Sequence, residues 1–147
     1  MIDAQISSYR LIQEIGSGTY GTVYHGVHLH DPSLEVAIKV VDPIIHNDPG
    51  FIAALKQECR ALDRLDHPGI VRFRELVVQD DVVAMVMELL RGADLETVLQ
   101  TGPQPVEEVT RILQLALTGL SHAHQSGVIH RDIKPANIFR CADGRVK

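Results

Sequence analysis

Cysteine is scarce in this sequence: Cys59 and Cys141 are the only two. Two thiols make no disulfide framework, which fits a reducing compartment. Long apolar runs are missing as well. No stretch reaches the ~18 apolar residues that a membrane span needs, so no membrane segment is expected. The opening residues, Met1 to Arg10, carry neither a basic n-region nor an apolar h-region. Nothing there supports secretion, and a cytoplasmic location is expected. Positive charge is in deficit, with 14 Lys and Arg against 19 Asp and Glu, a net charge of −5 with histidine neutral. With a pI near 5.9, the totals show no basic surface of the kind phosphate backbones require, so nucleic acid is disfavoured as a partner. Internal repeats and low-complexity tracts are absent too. What remains is ordinary: 147 residues, 45% hydrophobic and 22% charged, with a mean hydropathy of +0.04. Such values argue against a disordered, collagen-like or coiled-coil chain, and the length suits one domain or part of one.

Along the chain, Tyr9 to Ile15 reads as a strand, followed by glycines crowded between Gly16 and Gly21. Thr22 to His28, rich in β-branched and aromatic residues, reads as a second strand, and Leu34 to Val41 as a third. Asp48 is a plausible N-cap with Pro49 at the first helical position. Ile52, Leu55, Cys59, Leu62 and Leu65 recur at helical spacing, and His67-Pro68-Gly69 ends that helix. Ile70–Val78 and Val82–Leu90 read as two further strands. Arg91 to Asp94 is the one credible boundary, before a small helix over Leu95–Gln100. A long helix is predicted from Pro105 or Val106 to about Ser126, closed by Gly127 in the C′ position. Its apolar stripe is Val109, Ile112, Leu113, Ala116, Leu117, Leu120 and Ala123. Asp143-Gly144 reads as a hairpin turn without a complete second arm before Lys147.

Three constellations carry chemistry. Gly16-Ser17-Gly18-Thr19-Tyr20-Gly21 contains G-x-G-x-x-G, which is weak alone. A dinucleotide fingerprint would need a helix after Gly21 and an acid about 20 residues on, a distance Asp42 meets. A glycine-rich hairpin over phosphates needs a strand on each side, and glycines there let backbone N–H groups approach phosphate oxygens. A purely structural turn is equally compatible. Lys39, in Val36-Ala37-Ile38-Lys39, interrupts an apolar strand and either reaches solvent from the sheet edge or points into a cleft. Glu58 stands on or beside the helix's apolar stripe. It is either a buried carboxylate needing a cation, for which Lys39 is the natural partner, or a solvated residue at the stripe's margin. His130-Arg131-Asp132-Ile133-Lys134-Pro135-Ala136-Asn137 is the strong signal, packing an acid, two bases and an amide into eight residues after a short apolar segment. His25, His28 and His30 lack further ligands and read as solvated residues rather than a Zn²⁺ site. Cys59 reads as a small buried hydrophobe.

Taken in order from Tyr9 to Lys147, these motifs resemble the eukaryotic-type serine/threonine protein kinases, including their bacterial relatives. The resemblance implies an α+β, protein-kinase-like fold. Residues 1–90 would form an N-lobe with a five-stranded antiparallel sheet and one major helix. Residues 91–147 would form the hinge and a truncated helical C-lobe. ATP would lie between the lobes, with its phosphates under Gly16, Ser17, Gly18, Thr19, Tyr20 and Gly21, and Ile15 among the residues that bind it. Val23 and Ala37 would roof the adenine and Phe139 lie beneath it. Met87 would be the gatekeeper, with Glu88 and Leu90 supplying hinge backbone groups; Met85 reads as core filler. Lys39, fixed by Glu58, would hold the α- and β-phosphates. Asp132 would orient or deprotonate the substrate hydroxyl, Lys134 would neutralise the transferred phosphoryl group, and Asn137 would hold a Mg²⁺. Lys134 beside Pro135 resembles the serine/threonine class.

The chain departs from the family where D-F-G should follow Lys147. With the activation loop and later helices also beyond this sequence, the chain as written is expected not to catalyse. Exposing Ile112, Leu113, Leu117 and Leu120 together would leave an apolar patch suited to self-association. Alternative expectations are a non-catalytic nucleotide-binding or interaction module, and a dinucleotide-dependent oxidoreductase should the residues after Gly21 be helical.

Overall fold

The computed structural model describes residues 1–18, 20–46, 48–79 and 81–147. They group into two compact units. The first comprises Met1–Asp63 and Phe73–Leu89; the second comprises Arg64–Arg72 and Leu90–Lys147.

The first unit is an antiparallel sheet with helices. Its strands are β1 (Gln5–Ile6), β2 (Tyr9–Gly18), β3 (Gly21–His28), β4 (Glu35–Val41), β5 (Phe73–Gln79) and β6 (Val82–Glu88), in the spatial order β1-β2-β3-β4-β6-β5. The two-residue β1 extends the expected five strands to six. Because side chains alternate along a strand, β4 serves two cores. Val36, Ile38 and Val40 join Tyr9, Leu11, Tyr24, Ala84 and Val86 on one face. Val41 lies on the other face, with Val83 and Met85, packed against Leu55 and Cys59. Those two belong to α2 (Pro49–Leu62), which begins where the Asp48 carboxylate accepts the Gly50 N–H at 2.8 Å. The helix stops at Leu62 with Asp63 as its C-cap, short of Leu65. A short helix α1 (Pro43–His46) precedes it. The strand expected from Ile70 begins only at Phe73.

In the second unit, α3 (Leu95–Gln100) is capped by Asp94, which accepts the Thr97 N–H at 2.7 Å and its hydroxyl at 3.0 Å. The long helix α4 (Val106–Gln125) divides the apolar stripe read from its sequence. Ile112, Gly119 and Ala123 are buried, whereas Leu113 and Leu117 are 49% and 61% exposed. Positions 109, 113 and 117 form a separate row that drifts around the helix away from the packed face. Gly119 permits that packing, since a Cβ there would lie 2.8 Å from the Gly69 carbonyl oxygen. At the far end, the N–H of Gly127 donates to the His124 carbonyl at 3.0 Å and that of Val128 to Ala123 at 2.9 Å. With Gly127 at φ +77°, this is a Schellman ending that redirects the chain out of the helix.

Two strands unforeseen in the sequence, β7 (Gly92–Asp94) and β8 (Phe139–Cys141), pair antiparallel. The turn at Asp143-Gly144 does lead to a paired return: Arg140 bridges Val146, and Phe139 and Lys147 exchange backbone hydrogen bonds of 2.7 and 2.9 Å. Among the described residues, no helix is long and apolar enough to cross a membrane.

Candidate functional site

The glycine-rich segment is a hairpin. Gly16 pairs with Val23, Ser17 with Thr22 and Gly18 with Gly21; Thr19 lies outside the described residues. Since Gly21–His28 is a strand, the helix that a dinucleotide fingerprint requires is absent, and the oxidoreductase alternative falls with it. The glycines divide by cause. Gly21, at φ +146°, would drive a Cβ into the Val40 carbonyl oxygen, so the sheet itself demands it. A Cβ at Gly16 or Gly18 would meet nothing within 4 Å. Packing inside the chain therefore accounts for one glycine of the three.

Register assembles the next group. Val23 pairs with Lys39 and Lys39 with Met85; His25 pairs with Ala37 and Ala37 with Met87. Directly paired residues project to the same side, so Val23, Ala37, Lys39 and Met87 share the sheet face that carries α2. Ile15, 48% exposed, lies in β2, whose pairing shifts between Glu14 and Gly16. Glu88 ends β6, and the division between units falls just before Leu90.

The pairing expected between Lys39 and Glu58 is not formed. Among the described residues no ion pair joins them; Glu58 is exposed, and the Lys39 ammonium lies 5.9 Å from the centre of the Tyr20 ring. The reason is helical geometry. The buried line of α2 runs through Leu55 and Cys59, and Glu58 falls on its flank, where solvation removes any need for a cation. Cys59 itself is 4% exposed, and burial pushes its thiol up to about 11.

Sequence reasoning also missed His25. It is only partly solvated: its Nε2 is buried without a hydrogen-bond partner, 3.5 Å from a Glu35 carboxylate oxygen. Counting in twos along β3 from Val23 would have placed it on the Lys39 face.

In the second unit the segment from His130 to Asn137 folds around one carboxylate. The Lys134 ammonium lies 2.9 Å from Asp132 Oδ2. The Asn137 side-chain N–H₂ donates to the Asp132 carbonyl at 2.8 Å and to Oδ2 at 3.0 Å. The Asp132 N–H donates to His130 Nδ1 at 3.3 Å. The hydrogen bond from Lys134 above all, aided by that from Asn137 and by the Lys134 and His130 charges, holds the Asp132 carboxyl below the usual range against an opposing desolvation. Arg131 adopts φ +65°, a conformation side chains seldom take. The loop is fixed downstream by a 3-10 turn over Pro135–Asn137 and by Ile138, which is packed with Ile112 and Val146. Phe139 follows in β8.

A metal fits here only in part. Asn137 spends its N–H₂ on Asp132, which leaves its amide oxygen as a hard ligand of the kind Mg²⁺ prefers. Among the described residues no group of three or more His, Cys, Asp or Glu side chains could hold a metal. An ion carried in on phosphates, needing only one or two protein oxygens, suits this donor set.

A model of the protein kinase domain matches residues 9–147. The chain belongs to the protein kinase family. Kinase relatives include the serine/threonine-protein kinase PrkC of Bacillus subtilis, 35% identical over 149 residues, covering 100% of this chain and 23% of that protein. PknL of Mycobacterium tuberculosis is 38% identical over 144 residues, with 96% and 35% covered. For pkn2 of Myxococcus xanthus the identity is 37%, with 89% and 16% covered. This kinase chain thus spans well under half of the relatives it matches. The PknI kinase domain of M. tuberculosis superposes with a TM-score of 0.84 at 26% identity, covering 99% of this chain and 59% of that one.

Proposed function

We propose that this chain binds ATP with Mg²⁺ and forms part of a serine/threonine protein kinase that phosphorylates protein hydroxyls. The observation carrying the proposal is the cluster of Lys134 and Asn137 on the Asp132 carboxylate, together with a lysine on the same sheet face as a small roof residue, Ala37. In this reading Gly16, Ser17, Gly18, Thr19, Tyr20 and Gly21 present backbone N–H groups to the phosphates. Gly16 and Gly18 are glycines whose side chains nothing in the fold forbids, which favours a ligand over a structural turn. Ile15, Val23, Ala37 and Phe139 enclose the base, and Met87, Glu88 and Leu90 line its edge.

Lys39 holds the α- and β-phosphates. Asp132 accepts a hydrogen bond from the serine or threonine hydroxyl and takes its proton as the new O–P bond forms and the bond to the departing ADP oxygen breaks. Its depressed pKa makes it a weak base, so orienting the hydroxyl is the larger part of its role. Lys134 offsets charge on the transferred group. Bound at Asn137, Mg²⁺ would supply charge neutralisation between the phosphates. The reading also includes a cytoplasmic location and self-association of this chain through Leu113 and Leu117.

A second reading rests on the unmade Lys39–Glu58 pair: the chain binds ATP without transferring phosphate. Incubation with labelled MgATP and a generic serine/threonine protein substrate separates the two. Transfer that Asp132→Asn abolishes supports the kinase, while ATP-dependent thermal stabilisation without transfer supports the binding module. Stabilisation by neither MgATP nor ATP alone removes both.

A further inference from the structure

In the second unit the turn His67-Pro68-Gly69-Ile70 is tied to α4 through an imidazole. Pro68 has no N–H to give, so Gly69 and Ile70 supply the turn's backbone donors, and both donate to His67. The Gly69 N–H reaches the ring Nδ1 at 2.9 Å, and the Ile70 N–H reaches the His67 carbonyl at 3.0 Å. The ring is thereby folded back over Gly69, where a Cβ would lie 3.1 Å from Nδ1 and 3.4 Å from the Leu115 carbonyl oxygen of α4. Leu115, Gly119 and His122 follow one another at the spacing of a single helix face. Gly119 receives the Gly69 carbonyl. The His122 ring stacks on the His67 ring, with centroids 5.1 Å apart and planes inclined by 28°. Both histidines are half-buried, and neither has a part in the proposed ATP site.

We propose that this stacked pair is a pH-sensitive latch, which holds the turn on α4 while His67 is neutral and releases it when His67 takes a proton. Geometry sets the direction. A ring nitrogen that accepts a hydrogen bond carries no proton, so neutral His67 keeps its hydrogen on Nε2. A proton can enter only at Nδ1, where it faces the Gly69 N–H, turns the acceptor into a donor and leaves a part-buried amide unpaired. It also sets a cation against a second imidazole that can itself be charged. His122 lies in the last turn of α4, the end of a helix that favours cations. The other charged groups on the segments that meet here are Arg64, Asp66, which lies 3.9 Å from Arg72, His124 in the same turn of α4, and Lys147, whose ammonium donates to the Ile70 carbonyl at 3.2 Å. Among the described residues no carboxylate forms an ion pair with His67 or His122, so no anion at that distance offsets the added charge. Imidazoles change charge between about pH 5 and 8, and the latch therefore opens on mild acidification. The inference does not depend on the ATP reading, since the two share no residue.

The test is amide hydrogen exchange of the whole chain, resolved by residue, with each rate divided by the intrinsic rate at its pH. Protection of the Gly69 amide should fall about tenfold from about pH 7.5 to about pH 5.5. His67→Asn keeps a side-chain oxygen that accepts the N–H two residues on and does not titrate in this range, so its Gly69 protection should be the same at both pH values. His122→Phe keeps a ring without a second charge and should show a smaller fall than the parent. Ile38, in the middle of β4, should stay protected throughout, which shows that each variant is folded. Equal protection of Gly69 at the two pH values in the parent chain would overturn the inference. So would an undiminished fall in His67→Asn, because another group would then be the sensor, and so would a parallel loss at Ile38 in the parent, because the chain would then be unfolding as a whole. A fall in His122→Phe as large as the parent's would remove His122 from the latch.

Discussion

At the scale of single residues, Lys39 and Glu58 ask the sharpest question. The structure gives the ammonium a tyrosine ring, at 5.9 Å from Tyr20, in place of a carboxylate. A cation over an aromatic face is held only weakly at an exposed site, on the order of 0.5–1 kcal/mol, so phosphate would displace it readily. Lys39→Met should therefore leave the fold intact and reduce the thermal stabilisation given by MgATP, as mass action on a weakened complex requires. Unchanged stabilisation would remove Lys39 from the phosphate site. Glu58→Gln tests the partner separately. Because Glu58 is exposed and makes no ion pair here, stability without nucleotide should change by less than about 0.5 kcal/mol in urea unfolding. A smaller MgATP response in that variant would show that α2 turns to form the pair when phosphate arrives, and an unaltered response would exclude Glu58 from nucleotide binding.

Elements are held by a few exacting contacts. The Asp94 carboxylate caps α3, and the Thr97 backbone N–H is the main reason its carboxyl is held below the usual range. A carboxyl depressed in the folded state stabilises above its unfolded pKa, and that contribution is lost as pH falls through the folded value. Asp94→Ala should thus cost about 1 kcal/mol in urea unfolding at neutral pH, with the difference from the parent shrinking in strong acid. A pH-independent difference would mean that packing, not the charged cap, is what the substitution removes. Gly119→Ala examines the packing of α4. The new methyl would meet the Gly69 carbonyl oxygen at 2.8 Å, and backbone cannot yield as a flexible side chain does, so a loss of about 1–3 kcal/mol is expected. A neutral result would show that the turn from His67 to Ile70 is free to move.

For the molecule as a whole, the division into two compact units means that the proposed nucleotide contacts belong to separate parts of the chain. Hydrogen exchange with and without MgATP is the direct measurement. Protection should rise both at Gly16 to Gly21 and at Asp132 to Asn137, and protection confined to one of these would restrict the nucleotide to that unit. The exposed row on α4 belongs to this scale as well: Leu113→Glu with Leu117→Glu should lower the sedimentation coefficient of this chain if copies associate through it.

The local chemistry of this kinase-family chain was determined by sequence. The N-cap at Asp48, the bounds of α3, the glycine after α4 and the gathering of Asp132, Lys134 and Asn137 all depend on neighbours within a few residues, where spacing and side-chain type leave little freedom. Tertiary structure decided what spacing left open. Glu58 lay at the edge of an apolar stripe, and only the angle at which α2 meets the sheet could place it in solvent. The Nε2 of His25 became buried because β4 lies beside β3, and the apolar residues of α4 divided into a packed row and an exposed one because Gly119 admits the Gly69 turn on one side alone. The strands β7 and β8 pair across more than forty residues, and three residues of extended backbone carry no local signal of a partner that distant.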